Sequence, residues 1–290
     1  MSGFGFGGNA GTEFLSMLHP PHDALKDYDN TKPFNQQAAS VPQIFRDALS
    51  VREEVYGEQG VPLEAEFDQD DPRSWHWVVY ASVGEKPNSG SPTSLNAQSP
   101  SSKADDARRA SATASRVPVG TIRLIPPPHG PNPYIATAQP KNGDRHADAD
   151  PPHYLHVDGH ADKNHPNEPY IKLGRLAVLA PYRSLGLSKL LVNTAIEYAS
   201  KHPDSIRPPP SPTTLEKASL RGKEEAVVWK GLTMVHAQVS VAPLWQKHGF
   251  SEELVNEKGE VEINKEARWV EEGLEHMGMW KRIRVDAGRL

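Results

Sequence analysis

One stretch limits the folds open to this chain more than any other: residues 170–199, YIKLGRLAVLAPYRSLGLSKLLVNTAIEYA. Its first ten residues form a short apolar run, which reads as a buried strand. Its last part carries Leu187, Leu190, Leu191, Thr194, Ala195 and Tyr198 at the 3.6-residue period of an amphipathic helix. Between them lies a turn holding Gly186. A buried strand that feeds an amphipathic helix requires a sheet on which that helix packs, which makes the fold a mixed α/β layer. The turn has a chemical consequence as well. The first amides of a helix have no partner inside it. Together with the positive end of the helix dipole they form an anion site suited to a pyrophosphate, and a glycine there admits a ligand close to the backbone. The turn has neither the GxxxxGK[ST] of a nucleotide P-loop nor the GxGxxG of a dinucleotide site.

The other elements are read from the same periodicities. Val41, Ile44, Phe45, Ala48 and Leu49 predict a helix, with Ser40 as its N-cap and its end near Gly57 or Gly60. Strands are expected at residues 75–82, 117–125, 227–237, 260–263 and 276–284, and a short helix at 241–248, stopped by Gly249. No internal repeat is present. Polar, Pro-rich stretches near 84–116, 126–169 and 202–224 hold few large apolar residues and read as irregular insertions. Residues 1–38 read as an irregular N-terminal arm, and 39–290 as a single α/β (α+β) domain: a central mixed, mostly antiparallel sheet flanked by helices. A hydrophobic content of 37% with 27 prolines fits one packed domain interrupted in this way.

Composition removes several kinds of chemistry. With no cysteine, the chain has no disulfide framework, no Cys-ligated zinc and no cysteine nucleophile. A net charge of -5 does not favour nucleic acid as a partner. The start of the sequence lacks a secretory signal, and no apolar run approaches the ~20 residues of a membrane span. The expectation is a soluble cytoplasmic protein, with the nucleus as the other compartment left open. His146, His153, His156, His160 and His165 lie among Asp144, Asp148, Asp150, Asp158 and Asp162. In an extended segment His156, Asp158, His160 and Asp162 share one face and could ligate a divalent metal, which gives a metal-dependent hydrolase as an alternative. Incidental histidines in a polar insertion are the plainer reading, and no metal ligand is assigned.

Several segments, taken in order, resemble the GNAT superfamily of acetyltransferases. Arg175-Leu176-Ala177-Val178, Tyr182-Arg183 and the turn Arg183-x-x-Gly186-x-Ser188 resemble its motif A, with Ser188 where Gly or Ala is usual. Residues 51–56 (VREEVY), 58–62 (EQGVP), Glu66 and Asp68 are similar to the start of one branch. Gly120-x-x-Arg123-Leu124 resembles the strand before motif A. His236-Ala237-Gln238, Leu244-Trp245 and Gly249-Phe250 resemble motif B, and His276 with Met279 a later histidine–methionine pair.

The resemblance implies N-acetyl transfer from acetyl-CoA to a primary amine by direct attack. It implies that the backbone of Leu176, Ala177 and Val178 holds pantetheine, and that Arg183, Ser184, Leu185, Gly186, Leu187 and Ser188 hold the pyrophosphate, with Trp245 beside the cofactor. Glu66, His236 and Tyr182 are the implied catalytic candidates, with Asp68 and His276 further bases by position. Either Tyr182, Ser240 or water would protonate the leaving thiolate, or coenzyme A would leave unprotonated, because Trp245 stands where many relatives carry a tyrosine and an indole N–H is no practical acid. Glu58, Gln59, Arg123 and Arg175 are the implied substrate-binding residues, and Arg123 and Arg175 could equally pair with carboxylates. A small-molecule amine is the expected partner, and the strands after motif B are a candidate homodimer surface. A non-catalytic acyl-CoA-binding module is a further alternative.

Overall fold

A computed structural model of the chain describes residues 14–83, 115–129, 132, 168–208, 211–220 and 228–285. Nine strands are seen among them: β1 (Phe14–Leu18), β2 (Trp75–Val83), β3 (Ser115–Ile125), β4 (Ile171–Val178), β5 (Leu232–Gln238), β6 (Leu254–Val255), β7 (Val261–Ile263), β8 (Trp269–Glu271) and β9 (Leu274–Arg282). The helices are α1 (Gln43–Gly57), α2 (Leu187–Lys201), α3 (Pro203–Ile206), α4 (Pro212–Leu220) and α5 (Ala242–Lys247). Seven strands form one sheet in the order β1-β2-β3-β4-β5-β9-β8, and β6 pairs with β7 apart from it. Every neighbouring pair in the large sheet is antiparallel except β4 with β5. This is the mixed, mostly antiparallel α/β layer expected from the sequence.

The two long helices cover opposite faces, and the strand alternation shows how. Trp77 and Val79 of β2 join the cluster containing Leu187, Leu191, Val192 and Ala195 of α2. Val78 and Tyr80, pointing the other way, pack with Ala48 of α1. α1 also meets β4, where Val51 and Val55 pack on Ala177. The side chain of β4 just before the turn is thus fixed between the sheet and α1.

Three expectations differ from what is found. Part of the N-terminal arm is structured: β1 pairs with β2 from Phe14↔Tyr80 to Leu18↔His76. Leu25 then packs with Val41, Phe45 and Leu49, and Tyr28 stacks on Phe67 with ring centroids 4.3 Å apart. The apolar residues here are widely spaced among Pro, Asn and Asp, so their burial depends on α1 being in place and leaves no local period. Secondly, Pro42, not Ser40, caps α1. The hydroxyl of Ser40 donates instead to Asp27 at 2.8 Å, and a proline fits a helix start because no intrahelical donor is lost there. Thirdly, the stretch near 202–224 holds α3 and α4, and Ile206 is buried in the main core. Most of the other two expected insertions, with the histidine-rich stretch and its metal reading, lies outside the described residues. Among the described residues no group of His, Cys, Asp and Glu could hold a metal.

Beneath the α1 face of β3 and β4 lies a cluster of buried charges. Arg52 of α1 donates to both oxygens of Asp71, at 2.9 and 3.2 Å. Arg123 of β3 grips Asp68, one bond being 2.8 Å, and also lies 2.9 Å from Asp71. Arg175 of β4 reaches Asp68 at 3.0 Å. His76 Nε2–H donates to the Asp71 carbonyl at 2.9 Å, and burial holds this imidazole neutral, pushed down to about 4. Burial opposes ionisation of Asp71, but Arg52 and Arg123 outweigh it and hold the carboxyl well below the usual range. Removing one partner of a buried ion pair strands the rest. Asp71→Ala is therefore expected to lower stability by ~3–5 kcal/mol, read from the denaturant midpoint at constant slope, and a loss under 1 kcal/mol would show that the cluster does not hold the fold.

Candidate active site

The site begins where β4 and β5 part. Their parallel ladder runs Ile171↔Thr233, Lys172↔Met234 and Leu173↔Val235, and then stops, although β4 continues to Val178 and β5 to Gln238. The cause is on the far side of β4. There β3 pairs with β4 at Gly120↔Val178 and Thr121↔Ala177, then resumes at Arg123↔Gly174, so Arg175 and Leu176 oppose Ile122 alone. Such a bulge bends its strand. Arg175 sits at φ 50°, the left-handed region, which costs a non-glycine residue ~1–3 kcal/mol. Its guanidinium is tied down by Asp68 and by the Ala65 carbonyl, at 3.0 and 3.3 Å. The buried ion cluster therefore helps to hold the bend that opens the sheet.

A cavity of about 640 Å³ fills the opening. Leu173 to Val178 form one wall, His236, Ala237 and Gln238 of β5 the other, and the end of α1 with Glu66 the side. Two contacts join these walls. The amide of Gln238 donates to Gln59 at 2.7 Å, and the phenol of Tyr56 donates to the Leu176 carbonyl at 3.3 Å. Burial pushes the Tyr56 phenol up to about 12, so it stays a donor at neutral pH.

At one end the cavity meets the turn before α2. Ser184 and Gly186 both take left-handed conformations, φ 68° and 82°. The Arg183 amide donates to Ala180 at 3.3 Å, and Leu190 is the first residue of α2 to donate back, to Gly186 at 3.0 Å. Among the described residues, the amides from Ser184 to Lys189 have no acceptor in the protein. Gly186 provides no side-chain cap, and a Cβ placed on it would meet nothing within 4 Å. Amides in open space at a helix start are an anion site. The Arg183 side chain donates to the Val178 carbonyl at 3.0 Å and pairs with Glu58 at 3.2 Å.

Glu66 is the unusual side chain. It is 2% exposed, among the described residues neither carboxylate oxygen accepts a hydrogen bond, and Arg52 Nε lies 3.5 Å from Oε2. Burial pushes its carboxyl up, and Arg52 and Arg175 only partly oppose this. A carboxyl raised toward neutrality beside a cavity has the properties of a general base.

Of the residues anticipated from the sequence, Leu176, Ala177, Val178, Arg183, Ser184, Leu187, Ser188, Trp245, Glu58, Gln59, Arg175, Glu66, His236 and Tyr182 all line the cavity, as does His276. Leu185, 56% exposed, and Gly186 belong to the turn but not to the lining. Arg123 is not a ligand-binding residue: it is 1% exposed and spent on Asp68 and Asp71. Arg175 lines the cavity with its guanidinium already paired. The His236 ring meets Trp269 edge-on, centroids 4.7 Å apart, and lies 4.0 Å from Glu266. Trp245 is buried, edge-on to Phe250 at 5.4 Å.

Tyr56, Gln238, Glu271 and Glu272 also line the cavity and were not anticipated. For Tyr56 a signal exists: Arg52, Val55, Tyr56 and Gln59 fall at i, i+3, i+4 and i+7 on one helix face. The two glutamates lie at the β8–β9 hairpin, in a segment without period.

No family model and no curated protein matches the chain. Among solved structures it is similar to ElaA from Escherichia coli, at 13% identity over 93% of this chain and 100% of that one, TM-score 0.38. An acyl-CoA N-acyltransferase from Pseudomonas aeruginosa aligns at 13% identity over 93% and 99%, TM-score 0.40. IAA acetyltransferase from Bacillus cereus aligns at 11% identity over 94% and 100%, TM-score 0.32.

Proposed function

We propose that this chain is an acetyl-CoA-dependent N-acetyltransferase of the GNAT type, moving the acetyl group to a primary amine by direct attack. One observation carries the reading: the β4–β5 ladder ends at Leu173↔Val235 and the cavity opened there leads to a helix start with unbonded amides. Coenzyme A has the shape and charge for such a site. Its diphosphate suits the amides from Ser184 to Ser188, and its extended, amide-bearing pantetheine suits the edge of β4 from Leu176 to Val178. The open space at Gly186 leaves room for the phosphates. Arg183, whose own amide is engaged, acts by closing the turn onto β4 and α1.

Glu66 is the base in this reading. A protonated amine is no nucleophile, so it must lose a proton before or during attack. The amine nitrogen bonds to the acetyl carbon, its proton passes to the Glu66 carboxylate, and the carbon–sulfur bond breaks. The leaving thiolate takes a proton, for which the Tyr182 phenol on the cavity wall is the candidate donor. His236, on β5, forms the opposite wall and orients the acceptor. A carboxylate with no hydrogen-bond donor of its own, buried in the cavity wall, supports a catalytic enzyme over a non-catalytic binding module.

Gly186→Glu puts a side chain and a like charge at the phosphate site, where like-charge contact costs several kcal/mol. Acetyl-CoA affinity by calorimetry is expected to fall by roughly 100-fold or more, and unchanged affinity would refute the placement. Glu66→Gln is expected to lower kcat by ~10²–10⁴ with acetyl-CoA binding retained. The base works only when ionised, so wild-type kcat at saturating acceptor should fall as pH drops through a value above the ordinary 4.5 of a glutamate. That limb should vanish in Glu66→Gln; a variant that kept both the rate and the limb would remove Glu66 from the mechanism.

A further inference from the structure

His236 stands in the cavity wall with a second carboxylate beside it, one that the mechanism above does not use. Glu266 comes from the connection between β7 and β8, and its Oε2 lies 4.0 Å from His236 Nε2. It reaches the ring across Gly278. On the β5–β9 ladder His236 is the direct partner of Gly278. A Cβ placed on Gly278 would collide with Glu266 Oε2 and stand 3.0 Å from its Cδ. The carboxyl thus fills the space that a side chain at 278 would claim. The His236 and Glu266 side chains are only 12% and 8% exposed, so salt screens their attraction little. Among the described residues Glu266 Oε2 accepts no hydrogen bond, and a buried carboxylate oxygen left in that state is costly. Trp269, the first residue of β8, meets the His236 ring edge-on, at 74° with centroids 4.7 Å apart.

We infer that Glu266 is a positioning residue for His236: it holds the ring with a protonated Nε2 toward the carboxylate, so that the acceptor meets an imidazole of one orientation and one tautomer. The inference rests on the acyl-transfer reading, in which His236 orients the acceptor. Trp269 limits the plane of the ring but not its sense, since a half-turn about the Cβ–Cγ bond keeps the plane and exchanges nitrogens for carbons. A carboxylate on one side breaks that tie, because it attracts an N–H more than a C–H. At 4.0 Å the contact is longer than a hydrogen bond. A bridging water, or a small closure when the acceptor binds, completes it, as contacts in catalytic sites are often long before substrate arrives. Glu266 does not line the cavity, so it acts on the acceptor only through the ring. Gly278 belongs to the same device: its missing side chain is what admits the carboxylate.

The test reads the ring first and the rate second, on the full chain. Nitrogen–proton correlation spectra of the imidazoles, with His236→Gln to assign the signal, should show the neutral wild-type ring protonated on Nε2 with Nδ1 bare. Glu266→Gln and Gly278→Ala should each admit the form protonated on Nδ1. Gly278→Ala should do so at an unchanged denaturant midpoint, because only the mobile end of Glu266 has to move. Thiol release from acetyl-CoA is then followed with n-pentylamine, glucosamine and lysine amide as probe amines. With the fastest of them, kcat/KM for the amine should fall about tenfold in either variant, the scale of one lost charge-assisted bond. The pair together should fall no further than Glu266→Gln alone, with acetyl-CoA affinity retained throughout. A merely structural contact would lower the midpoint and leave the rate of the folded protein intact. A wild-type ring protonated on Nδ1, a tautomer untouched by both changes, or variants that react at the wild-type rate each overturn the inference. If acetyl-CoA fails to bind, or no amine releases thiol, the acyl-transfer reading falls, and the ring spectra alone uphold or reject the hold of Glu266 on His236.

Discussion

The buried pairing of Asp68 and Asp71 with Arg52, Arg123 and Arg175 is the interaction on which the site depends. It joins α1, the loop before β2, strand β3 and the bulge of β4 at one point. Charges of this kind are rarely favourable in isolation, since desolvation can exceed their mutual attraction. Their value here is geometric. Arg175 occupies a left-handed conformation that a lone arginine would avoid, and Asp68 holds it there. The bulge turns β4 away from β5 and the cavity follows. A simple apolar core at this place would not specify where the sheet must open.

The same view explains which features were legible in the sequence. β2, β3, β4, β5 and both long helices announce themselves by period, because each buries a repeating face. The turn at Gly186 was legible because a strand, a glycine and an amphipathic helix occur within thirty residues. β1 was not, since five residues in a Gly- and Asn-rich context carry no period and gain their order from the free edge of β2. The ion cluster was visible only as separate charges. Arg52, Asp71 and Arg123 are far apart in the chain, and nothing local shows that they meet. Arg123 accordingly read equally as a substrate ligand or as a partner of carboxylates, and the fold pairs it with two aspartates. Glu271 and Glu272 were illegible for a related reason: the hairpin that brings them to the cavity is set by the pairing of β8 with β9, and charged residues in a turn look alike whether they face water or a ligand.

The opening in the sheet also needs support on its β5 side, and the two glutamine side chains supply part of it. Gln59 and Gln238 meet across the mouth at 2.7 Å, a neutral bond that can be exchanged for a ligand at little cost, since net hydrogen-bond energies are about 1 kcal/mol. The Tyr56 bond to Leu176 is of another kind. It is partly buried, it ties the end of α1 to the bulge, and it occupies one lone pair of a carbonyl on the cavity wall. The mouth is therefore adaptable while the floor is fixed, an order that suits a site in which the reacting atoms must be placed more accurately than the rest of the ligand.

The position of Glu66 follows from competition within the cluster. Three carboxylates, of Glu66, Asp68 and Asp71, share three guanidiniums, so the charges balance. They are not shared equally. Asp71 draws the terminal nitrogens of Arg52 and the flank of Arg123, and Asp68 draws Arg123 and Arg175. Glu66 is left with Arg52 Nε at 3.5 Å, beyond a good hydrogen bond. Asp71 is thereby held ionised, whereas burial raises the Glu66 carboxyl and Arg52 and Arg175 oppose this only in part, though both are buried within the same few residues. Under the proposed mechanism, two acidic groups with unequal shares of one set of cations would serve as a permanent anion for structure and a carboxyl able to exchange a proton. In the proposed mechanism the second depends on the first, because the aspartates' claim on the arginines leaves the effect of burial on Glu66 only partly opposed.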